Sequence, residues 1–339
     1  MKRKFSILIV GTVIIGVVFG LVGMTRISQA KPTEQLIKPI PASDIKIVKK
    51  LPISEETKGR PVFPPGKDKD YSGTANGVLG TEATGNKYAV VIGICDYPGT
   101  TYDICKSDGD SFNMRKALNE KYGFALDNIE WFRDMGGVDY GVPSRDNILN
   151  AVIEIKGNLA ADDEVMFFFS GHGASGKISD IGYEDTDEAI VVHDNDGVMD
   201  ADGSADLDFI WDEELRILFS DFLASRVIFV FDSCLAGGMN DVEAGGRIVA
   251  MATEETKSAY VYSTGELGEG VFSHYFVNEG MLQGKADKYD HGYRTNPETL
   301  GEDVVVEEAF DYAKAHIPPY LKIRQKPVIS DNFTDDLLL

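Results

Sequence analysis

Two apolar stretches of this 339-residue chain end on side chains that can do chemistry. VMFFFSGHG (165–173) delivers His172 between two glycines, and RVIFVFDSCLAGG (226–238) delivers Cys234 just ahead of Ala236, Gly237 and Gly238. A thiolate is a strong nucleophile, but a free thiol has a pKa of about 8.5, so it needs a neighbouring base. An imidazole can take that proton and later return it to a leaving amine. Glycines beside both groups let a peptide backbone approach. They also leave the backbone N–H groups of Gly173 and Cys234 to hold an oxyanion. A lone strand-end cysteine is more often a buried structural thiol, and a lone histidine in a glycine-rich turn is usually structural too. The coincidence of the two is what predicts a Cys-His dyad. His193, His274, His291 and His316 lie in no comparable motif and read as surface or core residues.

The elements that must position this pair alternate from Lys87 onward. Strands are predicted at 87–94, 128–134, 163–171, 226–232 and 247–253, from short apolar runs. Helices are predicted at 110–123, with Asp110 as a plausible N-cap, and at 144–159, capped by Ser144. Further helices are expected at 210–222, 270–282 and 302–317. Repeated βα units imply an α/β fold, a mostly parallel sheet with helices on both faces. In such sheets the site lies beyond the carboxyl ends of the strands, which is where His172 and Cys234 fall.

SGHG after one buried strand and DSCxxGG after another resemble the caspase-like cysteine peptidases, and in motif most closely the metacaspase-like members. AVVIGICDYPGT is similar to that family's opening strand, and GVFSHYFVNEGM to its late helix. The likeness spans roughly residues 87 to 335. It implies a caspase-like fold with a six-stranded, mostly parallel sheet, and an endopeptidase in which Cys234 is the nucleophile and His172 the general base and acid. It also implies that Asp232 lines the substrate pocket with a second acid from the first helix. Asp110 fits that second role in one alignment and Asp108 in another; we expect Asp110. Two carboxylates in one pocket would select Arg or Lys, since a cation satisfies both. Self-cleavage would follow at basic residues such as Lys58, Arg60, Lys67, Lys69, Arg247 or Lys257. A catalytically inactive caspase-like scaffold or calcium-binding surface module is the alternative, and a legumain-like preference or transpeptidase activity a third.

The stretch from 180 to 214 is rich in acids among glycines, including Asp194, Asp196, Asp200, Asp202, Asp206 and Asp208. Hard cations take six to eight oxygen ligands from such loops, although the closing Glu of an EF-hand is missing here. Metacaspases commonly need calcium, and Asp194, Asp196, Asp200 and Asp202 are the candidate ligands. The plainer reading is a solvated acidic loop. No Cys/His cluster has zinc spacing, and no organic cofactor is implied.

Residues 1–30 carry a basic start, an apolar run from Phe5 to Met24 and SQA before Lys31. That is the layout of a signal peptide cleaved after Ala30, or of an uncleaved membrane anchor. Either would put the rest outside the cytoplasm, secreted or tethered. Residues 31–85 read as a Pro/Gly-rich linker or pro-segment, and 86–339 as the peptidase domain. Cys95 and Cys105 either pair, as an oxidising compartment permits, or stay as buried thiols. A formal net charge of -22 disfavours nucleic acid and suits cationic partners such as basic peptides or metal ions.

Overall fold

The computed structural model describes residues 44–53, 73–97, 102–104, 107–134, 140–176, 186–194, 207–262, 269–288 and 304–339. The apolar run at 5–24, the acids Asp196, Asp200, Asp202 and Asp206, and Cys105 lie outside these residues. Among the described residues no helix is long and apolar enough to cross a membrane.

The core is a six-stranded sheet. Its strands are β3 (Lys87–Gly93), β4 (Ile129–Arg133), β5 (Glu164–Ser170), β9 (Arg226–Asp232), β10 (Arg247–Met251) and β12 (Val328–Asp331), in the order β12-β10-β9-β5-β3-β4. Only β12 runs antiparallel to its neighbour. Strand residues alternate between two apolar layers. Val165, Phe167 and Phe169 of β5 join one with Val227, Phe229 and Phe231 of β9, while Met166, Phe168, Ile228 and Val230 join the other. This is why both strands are unbroken apolar runs: each face is covered. Burying each phenyl group contributes about 1.5–3 kcal/mol.

Helices α2 (Arg145–Asn158) and α3 (Asp212–Phe219) supply Ile148, Val152, Leu215 and Phe219 to the first layer. The second layer takes Met114 and Leu118 from α1 (Ser107–Lys121) and Phe310 from α5 (Val306–His316). It also takes Phe272 and Phe276 from α4 (Val271–Ser273), which runs on as a π-helix (His274–Leu282). The α/β fold with helices on both faces is the one expected.

Some boundaries differ. The first helix begins at Ser107 and not at 110, so Asp110 lies inside its first turn rather than capping it. The expected helix at 210–222 is split, with β8 (Leu207–Trp211) preceding α3. Within 31–85, expected to be a linker or pro-segment, two short strands form, β1 (Lys46–Val48) and β2 (Leu51–Pro52). β1 joins a second, antiparallel sheet with β6 (Gly173–Gly176), β7 (Asp187–His193) and β8. β2 pairs with β11 (Tyr260–Val261). Residues 74–77 are also tied down, their N–H groups donating to Asp311 and Asp336.

Candidate active site

Adjacent parallel strands bring the two reactive residues to one rim. β5 and β9 pair with Ser170 opposite Asp232, so His172 and Cys234 each stand two residues beyond that pair. The stretches touch: a Cβ on Gly173 would sit 2.0 Å from the Cys234 carbonyl oxygen, so only glycine fits there. Cys234 lies two residues past the end of β9. The next residue, Leu235, adopts φ 61°, the left-handed region that costs a non-glycine residue about 1–2 kcal/mol. Leu235 is held there by its N–H to Lys257 O and begins a 3₁₀ turn, Ala236–Val242. Such strain persists only where the surroundings impose it.

His172 is locked by its neighbours. Its ring stacks on Tyr97 with centroids 4.8 Å apart, and its backbone N–H donates to the Tyr97 hydroxyl at 2.8 Å. Nε2 lies 2.6 Å from the Tyr102 carbonyl oxygen, which can only accept, so Nε2 carries the proton and Nδ1 is the free base. Burial, with the two lysines 49 and 50 adding to it, pushes the imidazole down to about 4. Cys234 Sγ accepts the Ala259 N–H at 3.1 Å and is pushed up to about 11 by burial. Both members of the pair are therefore neutral in this arrangement.

The acidic pocket lies beside them. The Asp232 carboxylate accepts from Ser273 N–H and Oγ at 3.0 and 2.6 Å. Asp110 accepts from Gly270 N–H at 3.0 Å and from Ser170 Oγ at 2.6 Å. Burial drives the Asp110 carboxyl well above its usual range, Asp232 adding to the effect and Lys50 opposing it. Gly270 is required as a wall, since a Cβ there would meet Asp232 Oδ2 at 2.1 Å. Asp108, the other alignment's candidate, points elsewhere: its carboxylate pairs with Arg133.

A lysine from the stretch expected to be linker or pro-segment fills this pocket. Lys50 is 1% exposed, with Nζ 2.9 Å from Asp232, 3.9 Å from Asp110 and 2.9 Å from Ser170 Oγ. Its backbone N–H donates to His172 Nδ1 at 3.1 Å. No periodicity marked this residue. Ser170, by contrast, was visible one position before the Gly171-His172-Gly173 motif.

A second acidic cluster lies behind the rim. Asp187 at the start of β7 and Asp212 and Glu213 at the start of α3 are buried, with carboxylate oxygens within 4.8 Å of one another. Glu213 Oε2 has no hydrogen-bond partner. Burial and the adjacent Glu213 push Asp212 up to about 11, and burial and Glu213 also raise Asp241 in the turn after Cys234. A converging set of hard oxygens, one of them unsatisfied, fits an oxygen-seeking cation. Of the acids expected to bind metal, Asp194 is described but falls outside this cluster, and Asp196, Asp200 and Asp202 lie outside the described residues. The signal missed was the WDEE run at the β8–α3 junction, which read as ordinary helix.

Arg247 fits poorly as a self-cleavage point. It opens β10 and its buried guanidinium donates to Val242 O and Phe219 O. Lys257 sits in a partly exposed turn, while Lys58, Arg60, Lys67 and Lys69 lie outside the described residues.

The caspase-domain family model, of the C14 peptidases, matches residues 86–330, and the chain belongs to that family. Metacaspase-1 of Candida albicans is 27% identical over 244 residues, covering 64% of this chain and 51% of the relative. Metacaspase-1 of Cryptococcus neoformans is 26% identical over 251 residues, covering 67% and 50%. Metacaspase-7 of Arabidopsis thaliana is 31% identical over 161 residues, covering 46% and 36%. The chain thus spans about half the length of these relatives or less.

Proposed function

We propose that this chain is a cysteine endopeptidase that hydrolyses peptide bonds after Lys or Arg. Lys50 carries this reading: a buried ammonium held by Asp232, Asp110 and Ser170 is what a basic substrate side chain would look like in that pocket. A lone charge in such a site is costly unless paired and hydrogen-bonded, so the pocket discriminates by charge. In the reaction, the Cys234 thiolate attacks the carbonyl carbon of the basic residue. The backbone N–H groups of Gly173 and Cys234 hold the oxyanion. His172 Nδ1 passes the thiol proton to the leaving amine, and water then hydrolyses the thioester.

Calcium extends the proposal. Asp187, Asp212 and Glu213, with Asp241 near, would hold it, and the ion would neutralise acids that brace the turn following Cys234. Self-cleavage at exposed basic residues, and export directed by residues 1–30, belong to the same reading.

The test is hydrolysis of fluorogenic peptides ending in Arg, Lys or Asp, with and without calcium. Cleavage of the basic peptides, lost in Cys234→Ala, is expected. Preference for Asp would overturn the pocket, and full activity in Cys234→Ala would overturn the mechanism.

A further inference from the structure

The segment carrying Lys50 does more than fill a pocket. β1 adds to the edge of β6, with Val48 opposite Gly173, immediately after His172. β2 runs along β11, with Leu51 N–H donating to Ala259 O and Ile53 N–H to Val261 O, both at 3.0 Å. Ala259 is the residue whose N–H meets Cys234 Sγ. Residues 46–53 therefore span the rim from the histidine side to the cysteine side. Ile53 is 3% exposed and packs in an apolar pocket of Tyr260, Val271, Ile317 and Leu321. Lys49 adds a contact, its Nζ lying 4.6 Å from the centre of the Tyr102 ring. Strand addition plus side-chain pockets is how sheet edges bind peptides.

The segment is not set for cleavage. To break the Lys50–Leu51 bond, His172 would have to protonate the Leu51 nitrogen, but that N–H faces Ala259 O. Both imidazole nitrogens are engaged, Nδ1 by Lys50 N–H and Nε2 by Tyr102 O. Cys234 is 1% exposed beneath the segment and its sulfur is held by Ala259 N–H.

We propose that residues 46–53 are a built-in, uncleaved plug, anchored by Lys50 in the acidic pocket and Ile53 in the apolar one, that holds the chain latent until it is displaced. The proposal rests on the peptidase reading for its meaning but is tested separately from it. While the plug is seated a peptide finds the pocket filled, the histidine occupied and the thiol covered. Displacement frees all three together, because the same eight residues cover them.

The test uses the full chain. Cys234 is alkylated with iodoacetamide and the modified site followed by mass spectrometry, beside hydrolysis of an Arg-terminated fluorogenic peptide. Lys50→Met is expected to raise the rate of Cys234 alkylation at least tenfold. A synthetic KIVKKLPI peptide should return that rate toward the wild-type value, whereas KIVKALPI should not. Ile53→Asp, which leaves the acidic pocket intact, should also accelerate alkylation, so the proposal does not hang on one variant folding. Equal alkylation rates for wild type and both variants would overturn it, as would wild-type chain found cut between Lys50 and Leu51. Faster alkylation without peptide hydrolysis would uphold the plug and sink the peptidase reading. Peptide hydrolysis as fast in wild type as in Lys50→Met would do the reverse.

Discussion

A buried cation faces carboxylate at each rim of the central sheet. At the amino-terminal rim, Arg226 and Glu164 are the first residues of β9 and β5 and stand opposite each other in register. Arg226 Nε donates to Glu164 Oε2 at 2.6 Å, and its other nitrogens donate to the carbonyls of Thr81 and Leu338. One positive charge meets one negative charge, and both belong to core strands. At the carboxyl-terminal rim, Lys50 arrives on a stretch flanked by strands of three and two residues. Its single ammonium faces two carboxylates, from α1 and β9, that core elements hold in place. A pair built within the sheet is structure. A pair whose cation comes on a short strand leaves, once that strand departs, an acidic pocket ready for another cation.

The contrast can be broken at several points. Asp232→Asn removes a pocket charge with little change of shape. With the plug released by Lys50→Met, it should lower kcat/KM for Arg and Lys peptides at least about 100-fold, in line with about 3–5 kcal/mol for breaking a buried pair. Arg226→Met should leave the basic preference intact but cost about 3–5 kcal/mol in urea unfolding, because Glu164 stays buried without its partner. Lys50→Met should cost less than about 2 kcal/mol, since the emptied pocket admits water to the carboxylates it leaves behind. Equal losses from Arg226→Met and Lys50→Met would erase the distinction between the rims.

The buried acids Asp187, Asp212 and Glu213, whose carboxylate oxygens lie within 4.8 Å of one another, form a third region. Calcium should raise the melting temperature by about 5 °C at saturation. That shift should vanish in Asp212→Asn/Glu213→Gln, read by differential scanning fluorimetry. A pH effect follows from the thiol. With Cys234 pushed up to about 11, its thiolate is scarce at neutral pH, so wild-type alkylation should climb about tenfold per unit from pH 7 toward 10. Lys50→Met should move that midpoint down toward about 8.5. An unchanged profile would separate the thiol's state from the plug.

Much of this was legible in the chain. Strands covered on both faces announce themselves as runs such as VMFFF and VIFVF, because every residue needs an apolar neighbour. Glycines beside His172 and Cys234 marked the rim because the backbone there is crowded: Gly173 lies against Cys234, and Gly237 against Glu254 and Glu255. Other features left no local trace. Strands of two and three residues are too short to show a period, and 46–53 is extended because β6 and β11 offer it edges. The Asp187, Asp212 and Glu213 cluster joins residues 25 apart across a strand pairing, a distance no spacing rule reaches. Asp108 and Asp110 could not be told apart by alignment, yet two residues on a helix face in different directions, toward Arg133 and toward Lys50.

The sequence by itself determined the α/β class, five of the sheet's strands and the thiol and imidazole at the ends of two of them, because these depend on burial and chain geometry near each residue. Tertiary structure alone decided that Lys50 sits between Asp110 and Asp232 over a silenced histidine. That outcome depends on charges and sheet edges meeting between residues far apart in the chain, as Lys50 meets both Asp110 and Asp232, where proximity is set by packing and not by spacing.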